Sequence, residues 1–156
     1  MREELLRILV VLVSSTIATT GIIMMFGIER RVLVWAALSS ILCCGGYEVT
    51  MLFGGGLLLS CLVGAALSAI YSDVMAHWLK VPATVLIIPG IVPLVPGGKL
   101  YYTMLAAVQA DMDTFSLRGK EALLMAAGLA IGVIAVTVVS KPLNARIAEI
   151  KAKKNS

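Results

Sequence analysis

Charged residues are scarce in this chain. They make up 14% of its 156 residues, whereas soluble domains carry about 25%. Hydrophobic residues make up 60%, and the mean hydropathy is +0.98. The few charges cluster between long apolar stretches, in residues 2–7, 29–31, 73–80, 111–121 and after 140. This pattern excludes an ordinary soluble domain and predicts an all-α membrane protein with about five transmembrane helices.

Groups that could perform catalysis or bind a metal are also scarce. The only histidine is His77, and the three cysteines, Cys43, Cys44 and Cys61, lie in apolar segments without a CxxC spacing. No nucleophile–base pair is visible, so we expect no enzyme activity, no cofactor and no metal site. Asp73 lies one helical turn before His77, which indicates a solvated interfacial pair more than a proton-coupling pair.

Long apolar runs divide the chain into spans of one integral-membrane domain, residues 1–156. The predicted spans are 5–26, 32–50, 53–78, 81–110 (broken) and 122–139, followed by a basic C-terminal tail, 141–156. The tail carries most of the net charge of +4, which we interpret as a determinant of orientation or lipid contact, not of nucleic-acid binding. The side richer in Lys and Arg faces the cytoplasm, so the N-terminus is predicted out and the C-terminus in.

Small residues recur at helical spacing in two spans. The third span has Gly56, Ser60, Gly64, Ser68 and Ser72 at intervals of four, and the fifth has Gly128 and Gly132 in a GxxxG arrangement. Such faces let helix backbones approach closely, so we predict helix packing there and consider both faces as docking surfaces for a partner.

In the first span, several hydroxyl residues predict either a polar path or plain helix packing: Ser14, Ser15, Thr16, Thr19 and Thr20.

The fourth span is interrupted by prolines. As one helix, its 30 residues would extend about 45 Å, longer than the hydrocarbon core of about 30 Å. Pro89, Pro93 and Pro96 each remove a backbone donor. We therefore predict two half-helices joined by an unwound stretch, with the second beginning at about Gly97–Gly98.

A helix end inside a membrane predicts a binding site. The first N–H groups of the second half-helix lack intrahelical partners, and glycine lets a ligand approach the backbone. Lys99 adds a positive charge and begins a stripe that continues through Tyr102, Thr103, Ala106, Gln109 and Asp113. Lys99 either contacts substrate at the membrane midplane or forms a structural pair with a carboxylate; the sequence leaves both open.

The motif "PGIVPLVPGGKLYYTM" resembles the signature of the bacterial threonine/serine exporter family. The similarity covers nearly the whole chain and is strongest to short single-domain members that correspond to the C-terminal half of the full-length proteins. The matching positions are Pro93, Pro96, Gly97, Tyr101 and Met104.

The resemblance implies a subunit of a secondary transporter in the bacterial inner membrane. It would export threonine/serine-type amino acids or a dicarboxylate such as succinate, together with a larger membrane protein corresponding to the family's N-terminal half. The predicted substrate-binding residues are Pro93, Pro96, Gly97, Gly98, Lys99, Tyr101, Tyr102 and Thr103. The alternative function is a non-transporting scaffold subunit or a channel-like pore. The alternative partner is a second copy of this chain, which would enclose the solute in place of the larger protein.

Carboxylates in the spans are few. Glu48, Asp73, Asp111 and Asp113 all lie toward the predicted span ends. A proton relay ordinarily needs a buried carboxylate, so the sequence predicts that any coupling group comes from the partner.

Overall fold

A computed structural model describes the backbone of residues 2–25 and 30–154, and the side chains of residue 6, residues 8–25 and residues 32–140. Within these ranges every regular element is a helix. In chain order they are α1 (Arg2–Met25), α2 (Arg30–Leu52), α3 (Leu57–Leu79), α4 (Thr84–Ile91), a 3₁₀ turn (Val92–Leu94), α5 (Gly97–Val108) and α6 (Met112–Lys154).

Four of these helices are long and apolar enough to span a membrane: α1, α2, α3 and α6. The segments Thr84–Leu94 and Gly97–Val108 together make a fifth candidate span, which bends by 48° at the break. This confirms an all-α membrane protein with about five spans and a broken fourth. Phe26 and the last two residues of the tail lie outside the described residues.

Turn chemistry sets two boundaries that differ from the predicted spans. The third helix begins at Leu57, not residue 53, because the chain turns at Gly54, whose φ of +77° suits glycine. The last helix begins at Met112, well before residue 122. Asp111 caps it by accepting a hydrogen bond from the Thr114 N–H at 3.1 Å. Hydrogen bonds from Thr114 hold the pKa of the Asp111 carboxyl below its ordinary value.

The third helix is the centre of the bundle and packs against α2 on one side and α6 on the other. A Cβ added to Gly64 would lie 2.5 Å from the Cys43 carbonyl of α2, and one added to Gly132 would lie 2.6 Å from the Leu62 carbonyl of α3. These helices therefore touch backbone to backbone, as small residues permit. The same holds for Gly128, and the buried members of the third-span series are Ser60, Gly64, Ser68 and Ser72.

The expectation that these small-residue faces receive a partner protein is wrong. Both faces are covered by helices of the same chain, since Gly64 meets α2 and Gly128 and Gly132 meet α3. Gly56 is the exception, because it is exposed and has no heavy atom within 4 Å of an added Cβ.

Replacing Gly132 with leucine should destabilise the protein by about 1–3 kcal/mol, because the new side chain overlaps the α3 backbone. Gly21→Leu is the matched control, since Gly21 is an exposed glycine on α1 with open space around an added Cβ. Thermal unfolding of both variants in detergent measures the difference. Equal unfolding temperatures would show that α3 and α6 do not pack as described.

Candidate functional site

Prolines leave backbone carbonyls of α4 without their usual donors. Pro93 has no N–H, so the carbonyl of Pro89 receives no hydrogen bond from the residue four positions later. The hydroxyl of Thr19, on α1, donates to this carbonyl at 3.4 Å. The Val92 carbonyl, which faces the proline at 96, accepts instead from the Val95 N–H at 3.0 Å. Between Thr84 and Val108 the chain is therefore non-helical only at Val95–Pro96, a much shorter interruption than the prolines suggest.

A cluster of buried hydroxyls surrounds the last turn of α4. The Ser39 hydroxyl on α2 lies 2.7 Å from the Ser68 hydroxyl and 3.0 Å from the Ser72 hydroxyl, both on α3. Gly90 fits against this group, because an added Cβ would lie 2.9 Å from Ser68 Oγ. We call Thr19, Ser39, Ser68 and Ser72 the hydroxyl cluster; all four are fully buried. It is the polar core of the bundle and fixes α4 against α1, α2 and α3.

Sequence reasoning missed Ser39 and did not connect Thr19 with the proline break. Two signals were available: adjacent serines at 39 and 40 in an apolar helix, and a proline whose missing N–H requires an outside donor for the carbonyl four residues earlier.

The predicted glycines lie on an open surface. Pro96 is buried at the N-terminal cap of α5, whereas Gly97 and Gly98 are exposed, with no heavy atom within 4 Å of an added Cβ. The Gly97 N–H bonds to the Val95 carbonyl at 2.7 Å, but the described residues supply no acceptor for the N–H groups of Gly98 and Lys99. The N-terminus of α5 therefore presents two unpaired donors beside open space.

Lys99 forms an ion pair with a carboxylate that the sequence analysis did not consider. Its Nζ lies 2.5 Å from Glu121 Oε2 on α6, and Arg118 lies 3.5 Å from the same oxygen. The side chains of Lys99 and Glu121 are each 31% exposed. A pair this accessible contributes at most about 1 kcal/mol to stability, so its charges remain available to a ligand.

The position of this pair corrects the midplane interpretation of Lys99. Gly128 of α6 contacts Leu58, which lies in the first turn of α3. Glu121 precedes Gly128 by seven residues, about 10 Å along a helix. The pair therefore lies beyond the start of α3, at one end of the bundle, while the hydroxyl cluster lies near its middle.

The remaining predicted substrate residues differ in their exposure and surroundings. Pro93 is half-buried in the 3₁₀ turn; Tyr101 and Tyr102 are exposed, with ring centroids 5.4 Å apart; Thr103 is buried and donates to the Lys99 carbonyl at 2.7 Å. Part of the predicted stripe lines a cleft of about 220 Å³ between α5 and α6. Its lining residues are Tyr102, Leu105, Ala106, Gln109, Asp111, Thr114 and Arg118. Across the described residues, no three His, Cys, Asp or Glu side chains gather as metal ligands.

A family model described as "Threonine/Serine exporter, ThrE" matches residues 11–139, which include the break, α5 and most of the bundle. The chain belongs to the threonine/serine exporter family. No curated protein and no solved structure matches it. This exporter-family chain is therefore a multi-pass membrane protein of a transporter type, and its candidate site lies where α4 ends and α5 begins.

Replacing Thr19 with valine should destabilise the protein by about 1–3 kcal/mol, because the buried Pro89 carbonyl loses its donor. Thr20→Val is the matched control, since the Thr20 hydroxyl bonds to the Thr16 carbonyl of its own helix. Thermal unfolding in detergent compares the two variants. If Thr20→Val lowers the unfolding temperature as much as Thr19→Val, the hydrogen bond from Thr19 to the Pro89 carbonyl does not stabilise the packing of α4 on α1.

Proposed function

We propose that the chain is a subunit of a secondary transporter that exports small polar metabolites, and that its solute binds at the start of α5. The observation that carries this is the open N-terminus of α5, where two unpaired N–H groups lie next to the Lys99–Glu121 pair. A helix N-terminus favours a carboxylate through its free donors and its dipole. The two glycines leave room for the ligand to reach those donors.

The charges at this site suit a zwitterion. A solute carboxylate would bind the N–H groups of Gly98 and Lys99 and the Lys99 ammonium, while a solute ammonium would pair with Glu121. A dicarboxylate such as succinate would bring a second negative charge toward Glu121, which like-charge repulsion disfavours, but Arg118, 3.5 Å from the same Glu121 oxygen, offsets that repulsion. The charges therefore suit amino acids of the threonine/serine type and leave succinate as the alternative solute.

Among the described residues, the site has only one wall. No described residue covers Gly97 and Gly98, and the same side of α5 exposes Leu100, Tyr101 and Met104. A transporter has to enclose its solute while access alternates, so we infer that a larger membrane protein, corresponding to the N-terminal half of full-length family members, supplies the opposite wall. A second copy of this chain is the alternative source of that wall.

The proposed location is a bacterial inner membrane, with the N-terminus out and the C-terminus in. Among the described side chains, Lys80 marks one end of the bundle, and Arg118 and Lys120 mark the other. The basic tail joins the Lys80 end because α6 runs parallel to α3, as their successive contacts at Gly128 and Gly132 show. The end richer in Lys and Arg is the cytoplasmic one.

Gly98→Leu should abolish export without reducing the amount of protein in the membrane, because the leucine side chain would fill the space in front of the α5 donors. The measurement is efflux of labelled threonine, serine and succinate from vesicles that contain the chain and the larger protein that co-purifies with it. Gly21→Leu is the control for a leucine added on an exposed helix face. Wild-type efflux in Gly98→Leu would exclude a solute site at the break, and no efflux of any solute from the wild type would favour a scaffold subunit.

A further inference from the structure

The cleft between α5 and α6 has both of its walls within this chain. The two helices touch where Thr103 faces Gly119, since a Cβ added to Gly119 would lie 3.5 Å from the Thr103 methyl carbon. A turn joins them at the end of the bundle, and the backbone N–H groups of residues 109–111 bond there to carbonyls of α5. All residues that line the cleft lie in 102–109 and 111–118, on either side of this turn. Unlike the open start of α5, the cleft therefore needs no second protein to form its walls.

The volume of the cleft suits a small metabolite. It measures about 220 Å³, which is below the roughly 300–1,000 Å³ of pockets that take drug-sized ligands. At roughly 30 Å³ for each water in the liquid, this volume corresponds to about seven waters. A solute of the size of threonine or serine displaces a comparable amount of water, so the cleft has room for one such molecule.

The polar groups that line the cleft complement a zwitterion. Arg118 contributes a positive charge and Asp111 a negative one. Asp111 caps α6 through its Oδ1 atom, and a carboxylate has the capacity to accept further donors. Within the described part of the chain, the Gln109 amide and the Tyr102 hydroxyl form no hydrogen bond, so both can bond to a solute.

Arg118 connects the cleft with the start of α5. It lines the cleft, and its Nη1 atom lies 3.5 Å from the Glu121 oxygen that Lys99 contacts at 2.5 Å. An ion pair between partly exposed side chains one helical turn apart is weak. The guanidinium has five N–H donors in a planar fork that matches a carboxylate, and its one ionic partner among the described residues is Glu121. Arg118 can therefore bind a solute carboxylate in the cleft while Glu121 keeps Lys99 as its partner.

We propose that the α5–α6 cleft is a second binding site for the transported amino acid and that Arg118 binds the solute carboxylate there. The solute ammonium faces the Asp111 carboxylate, and Gln109 and Tyr102 add uncharged hydrogen bonds. Because Arg118 is next to both sites, a carboxylate can pass from Lys99 to Arg118 without losing a positively charged partner. The identity of the solute rests on the proposed function, whereas the cleft itself does not depend on a solute at the start of α5.

A cysteine placed in the cleft reports solute binding to the full chain without any transport. Leu105→Cys puts a thiol among the lining residues without removing a polar group, and Gln109→Cys is a second reporter. The three native cysteines are buried, so they should react slowly with a charged maleimide. With the chain in lipid nanodiscs, threonine at ten times its dissociation constant should slow the labelling of either reporter about tenfold. Leu117→Cys is the matched control, because Leu117 is exposed on α6 outside the cleft, and its labelling should not change.

Arg118→Gln tests which group binds the carboxylate. Combined with Leu105→Cys, it should raise the threonine concentration needed for protection about tenfold, because a charge-assisted hydrogen bond is lost. Lys120→Gln removes a neighbouring exposed cation outside the cleft and should leave that concentration unchanged. Threonine methyl ester has the ammonium but no carboxylate, so it should protect the Leu105→Cys reporter as weakly as threonine protects the Arg118→Gln variant.

Three results would overturn the inference: no protection of either cleft cysteine by threonine or serine, undiminished protection in Arg118→Gln, or equal protection by the methyl ester. Gly98→Leu separates the cleft from the first site, because protection in the cleft should persist when the space in front of the α5 donors is filled. Loss of protection in Gly98→Leu would indicate a single site and would also overturn the inference. If the chain and its partner export no solute although threonine protects Leu105→Cys, the proposed function fails and the cleft site stands.

Discussion

The missing backbone N–H groups of Pro89, Pro93 and Pro96 determine how the rest of the bundle is built. A carbonyl released by a proline inside a membrane must find another donor, since lipid offers none. The hydroxyl of Thr19, on α1, donates to the Pro89 carbonyl, and the Val95 N–H donates to the Val92 carbonyl in the 3₁₀ turn. The position of α4 therefore depends on α1 as well as on the small residues of α2 and α3. The polar core at Ser39 and Ser68 is the consequence, because Gly90 brings the α4 backbone against it.

The same break gives the chain an inner and an outer polar region with different properties. The inner region is the hydroxyl cluster, which is buried, internally bonded and near the middle of the bundle. The outer region is the start of α5, where Lys99 and Glu121 are partly exposed and two N–H groups have no acceptor within the described residues. A packed cluster has no room for a ligand, whereas an open helix N-terminus beside charges of both signs can bind one. This division is the reason for our proposal that the solute binds at the end of the bundle and that a second protein completes the site.

The sequence predicted the helical membrane class, the broken fourth span and the start of the second half-helix, because hydropathy and proline chemistry act locally. It also predicted where small residues recur, although not that Gly128 and Gly132 pack on α3 of the same chain. The sequence did not predict which side chains on different helices contact each other. Nothing in the local pattern indicates that Glu121 reaches Lys99 or that Thr19 serves the Pro89 carbonyl, since both depend on the register of packed helices. Glu48 lies toward the end of α2, where the sequence analysis placed it, but it is buried there, which the local pattern did not indicate.

The central claim is that this chain forms one wall of a solute site and needs another protein to complete it. The direct measurement is threonine efflux, driven by an ion gradient, from vesicles that contain the purified chain alone and from vesicles that also contain its larger membrane partner. The account predicts efflux only when both proteins are present, since no described residue covers the side of α5 that carries Gly97 and Gly98. Full gradient-driven efflux from the chain alone, in the absence of any other protein, would contradict it.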